Sequence, residues 1–167
     1  MTGGKNMFEK ALDIIQEAIS ETISFIMAEG KEYKIVEQVN ENNSVFIENN
    51  LTIIGITGQI KGEIIFSFSD NIIKKVASKM IGMEVKEIDK LAFSAILEFA
   101  NMLSGAATIK LVDYYESDKL NMSPPLVING REFQISSEIG ELKNYRMHLG
   151  EGEIIYIRVN LIHVYES

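Results

Sequence analysis

The sequence predicts an α+β fold in which an antiparallel sheet packs against about three helices. Three observations support this. A long amphipathic segment opens the chain, a run of β-branched segments follows it, and two further helical segments separate that run from a second group of strands near the C-terminus. Strands and helices segregated in this way are typical of α+β domains and not of doubly wound parallel sheets. With 167 residues, 46% of them hydrophobic, we expect a single domain over residues 1–167.

The first helix is predicted from the spacing of its apolar residues. Between Phe8 and Ile26 these residues recur every three or four positions, with acidic and polar residues between them. The pattern predicts about six turns of helix, ending near Gly30.

The first group of strands is predicted from three segments. "YKIVEQV" and "SVFIENN" are expected to be short strands, and "NLTIIGITGQIKGEIIFSFSD" is expected to form a hairpin. The glycines of "GITGQIKG" could also belong to a phosphate-binding loop. Because they lie between two predicted strands, with no helix N-terminus after them, the sequence favours the hairpin.

The next two helices are predicted from their caps. Ser69 or Asp70 can cap the second helix, which Gly82 ends. Asp89 can cap the third helix, which we expect to run from about Lys90 past Tyr114.

The remaining strands follow a pair of prolines. Pro124 and Pro125 exclude helix and require an extended segment. The segments "REFQISSE", "NYRMHLG" and "EIIYIRVNLIHVYE" then predict strands, with "GEGE" as a turn. We expect Glu151 and Glu153 to be solvated in that turn, and His148 and His163 to be ordinary strand residues and not metal ligands.

Composition excludes several classes of function. The chain has no cysteine, so it can form neither a disulfide nor a thiolate metal site. A net charge of −8 argues against nucleic-acid binding, which depends on clustered Lys and Arg. We see no secretion signal and no run that approaches the ~18 apolar residues of a membrane span. The sequence therefore predicts a cytoplasmic protein with a protein or small-molecule partner and no membrane association.

A polar stripe marks the third predicted helix, "LAFSAILEFANMLSGAATIK". Ser94, Glu98, Asn101 and Gly105 fall within roughly 60° of one another at helical spacing, opposite an apolar core face. An ordinary solvent face is the simpler interpretation. However, the neighbouring residues are small or apolar, with Ala95 and Met102 beside the stripe, where a solvent face would carry Lys and Glu. The stripe therefore also suits a flat surface that another protein could approach closely.

The carboxylate and the amide suit different tasks. Glu98 can hold a cationic group of a partner, and the Asn101 amide offers both a donor and an acceptor. An amide is no general base at neutral pH, but it can orient a water molecule, which is the main requirement of phosphoryl transfer. That chemistry needs a metal ion, and the sequence offers no evident metal site. A partner would have to supply it.

These residues resemble the signature of the CheC, CheX and FliY family of bacterial chemotaxis phosphatases. The signature is Asp or Ser, three residues, Glu, two residues, Asn, twenty-two residues and Pro, and Ser94, Glu98, Asn101 and Pro124 match it in register. The segments "TIIGITGQIKGEIIFSFS" and "PPLVINGREFQI" also look like the CheX branch of the family. The resemblance implies a CheC-like fold with an internal pseudo-repeat.

The resemblance also implies an activity and a partner. The family dephosphorylates the phosphoaspartate of the response regulator CheY. It implies that Glu98 pairs with the regulator's active-site lysine, that Asn101 positions the attacking water, and that Mg²⁺ is supplied by the regulator, with no cofactor of the chain's own. Supporting or interface roles are implied for Ser94, Met102, Gly105 and Pro124, although Ser94 could equally be no more than a small helix residue, and Pro124 is expected mainly to shape its segment.

Relatives in this family differ in how many sites they carry. The first helix contains two degenerate copies of the signature, Asp13, Glu17 and Ser20 or Glu17, Glu21 and Ser24, each with serine in place of asparagine. We therefore expect one active site per chain, as in the CheX branch, whose members are homodimers. The apolar final strand is consistent with a sheet edge that a second subunit would cover.

Two alternative functions remain open. The first is a non-catalytic adaptor that docks a regulator or a flagellar switch component, and the more remote one is a small-molecule-binding domain.

Overall fold

A computed structural model describes residues 3–27, 30, 33, 35–38, 45–116, 119–131, 133–135 and 139–164. These residues form the predicted helices and strands in the predicted order, together with a short strand, Asn121–Met122, that was not predicted, and this confirms the α+β fold. The helices are α1 (Gly3–Met27), α2 (Asp70–Ile81) and α3 (Lys90–Tyr115). The strands are β1 (Ile35–Gln38), β2 (Val45–Ile47), β3 (Asn50–Thr57), β4 (Ile60–Phe68), β5 (Asn121–Met122), β6 (Leu126–Asn129), β7 (Phe133–Ile135), β8 (Glu141–Gly150) and β9 (Glu153–Val164).

The main sheet is antiparallel, with strand order β1-β8-β9-β4-β3-β5 and with β6 also paired to β3. β2 and β7 pair separately. The prediction that the final strand is an edge is wrong, since β9 lies between β8 and β4 and bonds to both. The apolar composition of β9 is explained by burial in the core and not by an exposed edge. Its alternate residues Ile155, Ile157, Val159 and Leu161 are buried in the core.

The core lies between one face of this sheet and the three helices. A single cluster of buried residues joins α1, α2, α3 and the inward side chains of β3, β4, β8 and β9. The α1 pattern is confirmed, because its predicted inward residues are buried or packed against this cluster, although the helix already begins at Gly3. Helix α3 contacts both other helices and the sheet. It is therefore the central helix of the fold.

Helix α3 is also long and apolar enough, by length and composition alone, to cross a membrane. The core helix of a globular domain has the same properties, and α3 packs against α1, α2 and the sheet. Its apolar composition is explained by that packing.

The caps of α2 and α3 largely follow the sequence prediction. The Ser69 side chain accepts a hydrogen bond from the backbone N–H of Ile72, and Asp89 accepts one from Ala92 at 2.9 Å. Ser69 is thus the α2 cap. Asp70 instead accepts a hydrogen bond from the amide of the buried Asn50 at 2.9 Å, which ties the start of α2 to the start of β3.

The polar residues predicted near the C-terminal hairpin lie as follows. Glu151 is exposed in the turn, as predicted, but Glu153 pairs with Lys75 of α2 at 2.8 Å and is not simply solvated. His148 is exposed on β8, and the side chain of His163 on β9 lies outside the described residues.

Gly58 allows the segment after α3 to approach the β3–β4 turn closely. It has φ +106°, and a Cβ built there would lie 1.5 Å from the backbone oxygen of Lys119. No other residue type fits without a backbone shift. This contact sets the position of the backbone at Lys119, just before β5.

We expect Gly58→Ala to lower the free energy of unfolding by about 3 kcal/mol or more, because the Lys119 backbone must move. Gly82→Ala is the matched control, since Gly82 has φ +80° but open space around its Cβ position. The Gly82→Ala variant should lose only about 1 kcal/mol of unfolding free energy, which is the penalty for placing an alanine at positive φ. Urea unfolding of both variants measures the difference, and equal losses would contradict the close approach.

Candidate functional site

The polar stripe of α3 opens onto a groove of about 830 Å³. One wall is the exposed face of α3, and the other is the segment Leu120–Pro125, which includes β5 and the two prolines. Five of the six predicted site residues line the groove: Ser94, Glu98, Asn101, Gly105 and Pro124. Asn101 lies at the centre of the α3 wall. Met102 is half-buried and is not part of the lining.

Glu98 and Asn101 are exposed on neighbouring turns of α3. At this spacing their Cβ atoms are about 5–6 Å apart on one face of the helix. Within the described part of the chain, neither side chain has a hydrogen bond or ion pair. Both are therefore available to a group that enters the groove from outside.

The helix below this pair is rigidly held. On the opposite side of α3, Ile96, Phe99, Ala100 and Leu103 are fully buried. Ala95, expected beside the stripe, is also nearly buried. Because the backbone that carries Glu98 and Asn101 is fixed from behind, only their side-chain rotations remain free.

Hydroxyl groups near the pair bond to the helix backbone. Ser94 Oγ donates to the carbonyl of Lys90 at 2.9 Å, and Ser104 Oγ donates to the carbonyl of Asn101 at 3.0 Å. Ser94 therefore presents a small surface to the groove, with its hydroxyl proton already used. Ser104 is buried and braces the backbone of Asn101.

The second wall is attached to strand β3 through Ser123. Its backbone N–H donates to the carbonyl of Gly55 at 2.8 Å, and its Oγ accepts from the N–H of Gly55 at 2.9 Å. Met122 pairs with Ile56 in the adjoining strand register. Pro124 is exposed at the groove.

Sequence reasoning missed part of this lining. Thr108 and Ile109 continue the same helical stripe beyond Gly105, so the spacing of three and four residues could have identified them. The residues of the second wall, Leu120 to Ser123, could not be found this way, because only the pairing of β5 with β3 brings them to α3.

A second groove, of about 760 Å³, lies along α1. Subtracting 81 from five lining positions of the α3 groove gives five lining positions of the α1 groove, a spacing that agrees with the internal pseudo-repeat implied by the family resemblance. The pairs are Ser94 with Asp13, Leu97 with Gln16, Glu98 with Glu17, Asn101 with Ser20, and Gly105 with Ser24. Of the two degenerate motifs, Asp13, Glu17 and Ser20 is thus the copy in register.

The α1 groove differs from the α3 groove in two ways. Serine replaces the amide at position 20, and two of the three lining carboxylates, Glu17 and Glu21, are paired with a lysine of the same chain. Lys110 Nζ, on α3, lies 2.7 Å from Glu21 Oε2 and 3.5 Å from Glu17 Oε1. The hydrogen bond to Glu21 raises the pKa of Lys110. Glu17 therefore already has the cation that its counterpart Glu98 lacks.

Metal ligands are scarce in the part of the chain that the structure describes. No group of three or more His, Asp or Glu side chains there is arranged to hold a metal ion. Glu98 is the one ionisable side chain among the described residues that line the α3 groove. A single carboxylate is a poor site for Mg²⁺, which needs several oxygen ligands.

The sequence matches a known protein family. The sequence model of the family "Chemotaxis phosphatase CheX" matches residues 51–146, which include Glu98, Asn101 and Pro124. The CheY-P phosphatase CheX of Thermotoga maritima is 43% identical over 88 residues, which are 52% of this chain and 56% of that protein. The match thus spans little more than half the length of the curated relative.

Solved structures share the fold. CheX from Desulfovibrio desulfuricans aligns with a TM-score of 0.73 and 19% identity over 91% of this chain and 99% of the other. The CheX component of a CheX-CheY-BeF3-Mg²⁺ complex from Borrelia burgdorferi aligns with a TM-score of 0.75 and 18% identity, covering 90% and 96%.

The Lys110 ion pairs give a testable stability effect. Lys110→Met should lower the free energy of unfolding at pH 7 by about 0.5–1 kcal/mol, because these pairs are partly exposed to solvent. The pKa of Lys110 is raised above the ordinary lysine value of 10.5 in the folded state, so the contribution is complete below that value and is lost as the pH rises through the higher folded-state pKa.

Urea unfolding at several pH values between 7 and 11 measures this difference. Lys74→Met is the control, since Lys74 of α2 has no ion pair within the described residues. A loss for Lys110→Met that matched the control, or that grew at high pH, would contradict the assignment.

Proposed function

The chain belongs to the chemotaxis phosphatase CheX family, and on this premise we propose that it hydrolyses the phosphoaspartate of a CheY-like response regulator. The observation that carries the proposal is the Glu98–Asn101 pair, exposed in a groove and without partners among the described residues. The activity named for the Thermotoga maritima relative supports it.

Each side chain has a distinct role in this proposal. Glu98 pairs with the active-site lysine of the regulator, which holds the two proteins in register. The Asn101 amide enters the regulator's active site and hydrogen-bonds a water molecule in line with the phosphorus atom. The water oxygen forms a bond to phosphorus as the bond to the aspartate oxygen breaks, which releases inorganic phosphate and a free carboxylate.

Catalysis then depends on position and not on a base. An amide cannot accept the proton of water at neutral pH, so Asn101 contributes by alignment, which can be worth several orders of magnitude in rate. The rigid attachment of α3 to the core supports this role, because a small displacement of the amide would lose the alignment.

We propose that Mg²⁺ belongs to the regulator and that this chain needs no cofactor of its own. The Borrelia burgdorferi complex contains Mg²⁺ and BeF3 together with CheX and CheY. In this chain, Glu98 stands alone as an ionisable residue among the described residues of the groove. When bound to the regulator, the ion would neutralise charge on the phosphoryl group.

We also propose a single active site per chain and a homodimer. The α1 groove has Ser20 in place of the amide and has its Glu17 carboxylate paired with Lys110, which supports one site. The dimer is implied by the family resemblance. Both edges of β9 are bonded within the chain, so a dimer interface would have to use another surface.

Asn101→Ala should reduce phosphate release by about 100-fold or more while leaving binding within a few-fold, because the water loses its alignment. The assay phosphorylates candidate regulators with a small phosphodonor and Mg²⁺ and follows inorganic phosphate. Ser20→Ala, the equivalent change in the α1 groove, should leave turnover unchanged. Normal turnover in Asn101→Ala would rule out the water-positioning role.

Glu98→Ala should weaken both binding and turnover, since it removes a charge-assisted contact worth about tenfold or more in affinity. Its matched control is Glu17→Ala, which removes the corresponding carboxylate of α1 and should change neither. Titration calorimetry with the BeF3-loaded regulator measures binding independently of turnover. Tight binding by the wild-type chain without any acceleration of phosphate release would favour the non-catalytic adaptor.

A further inference from the structure

The α3 groove continues beyond the catalytic pair into an apolar end. Past Asn101 its α3 wall consists of Ser104, Gly105, Thr108 and Ile109, and the other wall contributes Leu120, Asn121 and Met122. No ionisable side chain lies among the described residues at this end. The groove therefore changes from a centre that carries a charge to an uncharged end whose largest side chains, Ile109, Leu120 and Met122, are apolar; we call this the apolar end.

Ile109 is the most unusual residue at this end. Its side chain is 65% exposed, which is more than Leu91 at 55% and Tyr114 at 52%, the other exposed large apolar residues of α3. An exposed helix position gains nothing from isoleucine, which is a weaker helix former than Lys, Glu or Ala. Its exposure places an apolar surface at the open side of the groove.

The distance from the catalytic pair places Ile109 within reach of the same partner. Eight residues of helix separate Asn101 from Ile109, which corresponds to about 12 Å. A standard protein interface covers about 800 Å² on each partner, equivalent to a disc of about 16 Å radius. A regulator centred on Asn101 would therefore also cover Ile109.

We propose that the apolar end of the α3 groove, formed by Ile109 and Met122, binds an uncharged, apolar part of the regulator's surface beside its phosphorylation site. This inference rests on the proposed function, because it assumes that a regulator occupies the centre of the groove. Two features of the groove identify its occupant as the regulator: the apolar end is continuous with the catalytic pair, and it carries no charge. The same cavity carries the catalytic pair, and beyond Glu98 its described lining offers only apolar and neutral contacts.

The apolar end of the groove should then affect KM, whereas the catalytic pair at its centre should affect kcat. Contact at Ile109 lies away from the reacting atoms, so it stabilises the bound complex and the transition state equally. Loss of that contact should raise KM and leave kcat unchanged. Asn101 should show the opposite behaviour, because its contact acts in the transition state.

The test compares Ile109→Ser with Ile109→Leu and with Val36→Ser. Val36 is 51% exposed on β1, at the opposite end of the sheet from β5, and controls for loss of an exposed apolar side chain. Titration calorimetry with the BeF3-loaded regulator and Mg²⁺ gives the dissociation constant, and the phosphate-release assay gives kcat and KM. Circular dichroism of each variant verifies the helix content.

We expect Ile109→Ser to raise the dissociation constant and KM by about tenfold with kcat changed less than twofold, since a partly exposed isoleucine loses its remaining burial. Ile109→Leu should restore most of the affinity, and Val36→Ser should match the wild type. Unchanged affinity and KM in Ile109→Ser, or a fall in kcat alone, would overturn the inference. The proposed function would still stand in that case if Asn101→Ala were inactive, and it would fail separately if Asn101→Ala were fully active.

Discussion

The packing of α3 against α1, α2 and the sheet is the interaction on which the rest of the structure depends. One face of the helix is buried so completely that Ile96, Phe99 and Leu103 have no exposed surface, while Glu98 and Asn101 stand on the opposite face in the open. Burial of the first face supplies much of the hydrophobic stabilisation of the domain. It also gives the second face a fixed backbone, so stability and site geometry have the same origin.

The two grooves differ in only a few side chains. The α1 and α3 grooves share the spacing of their lining residues, yet α1 has a serine hydroxyl where α3 has an amide, and it has Lys110 beside its carboxylates. A hydroxyl is shorter than an amide and cannot reach as far from the helix. The fold therefore places a groove on each of two helices, and the two grooves differ in the side chains that line them.

Most of the fold could be predicted from local patterns, whereas part of the site could not. The periodicity of α1, the caps Ser69 and Asp89 and the hairpin around Gly58 are local signals, and the structure agrees with them. The position of β9 was mispredicted because a strand's apolar composition does not distinguish a sheet centre from an edge. The α3 stripe, like α1, was predicted from helical periodicity. The second wall of the α3 groove could not be predicted, because it depends on long-range pairing between Ser123 and Gly55.

The attachment of that wall has a consequence for the behaviour of the folded protein in a crowded solution. β5 and β6 bond to the side of β3 that β4 does not use, and so they occupy backbone groups that would otherwise be free to pair with a strand from another molecule. Exposed strand edges of this kind are common starting points for aggregation. The segment that forms the second wall of the groove therefore also protects this side of the sheet, and a variant that loosened it would lose solubility together with that wall.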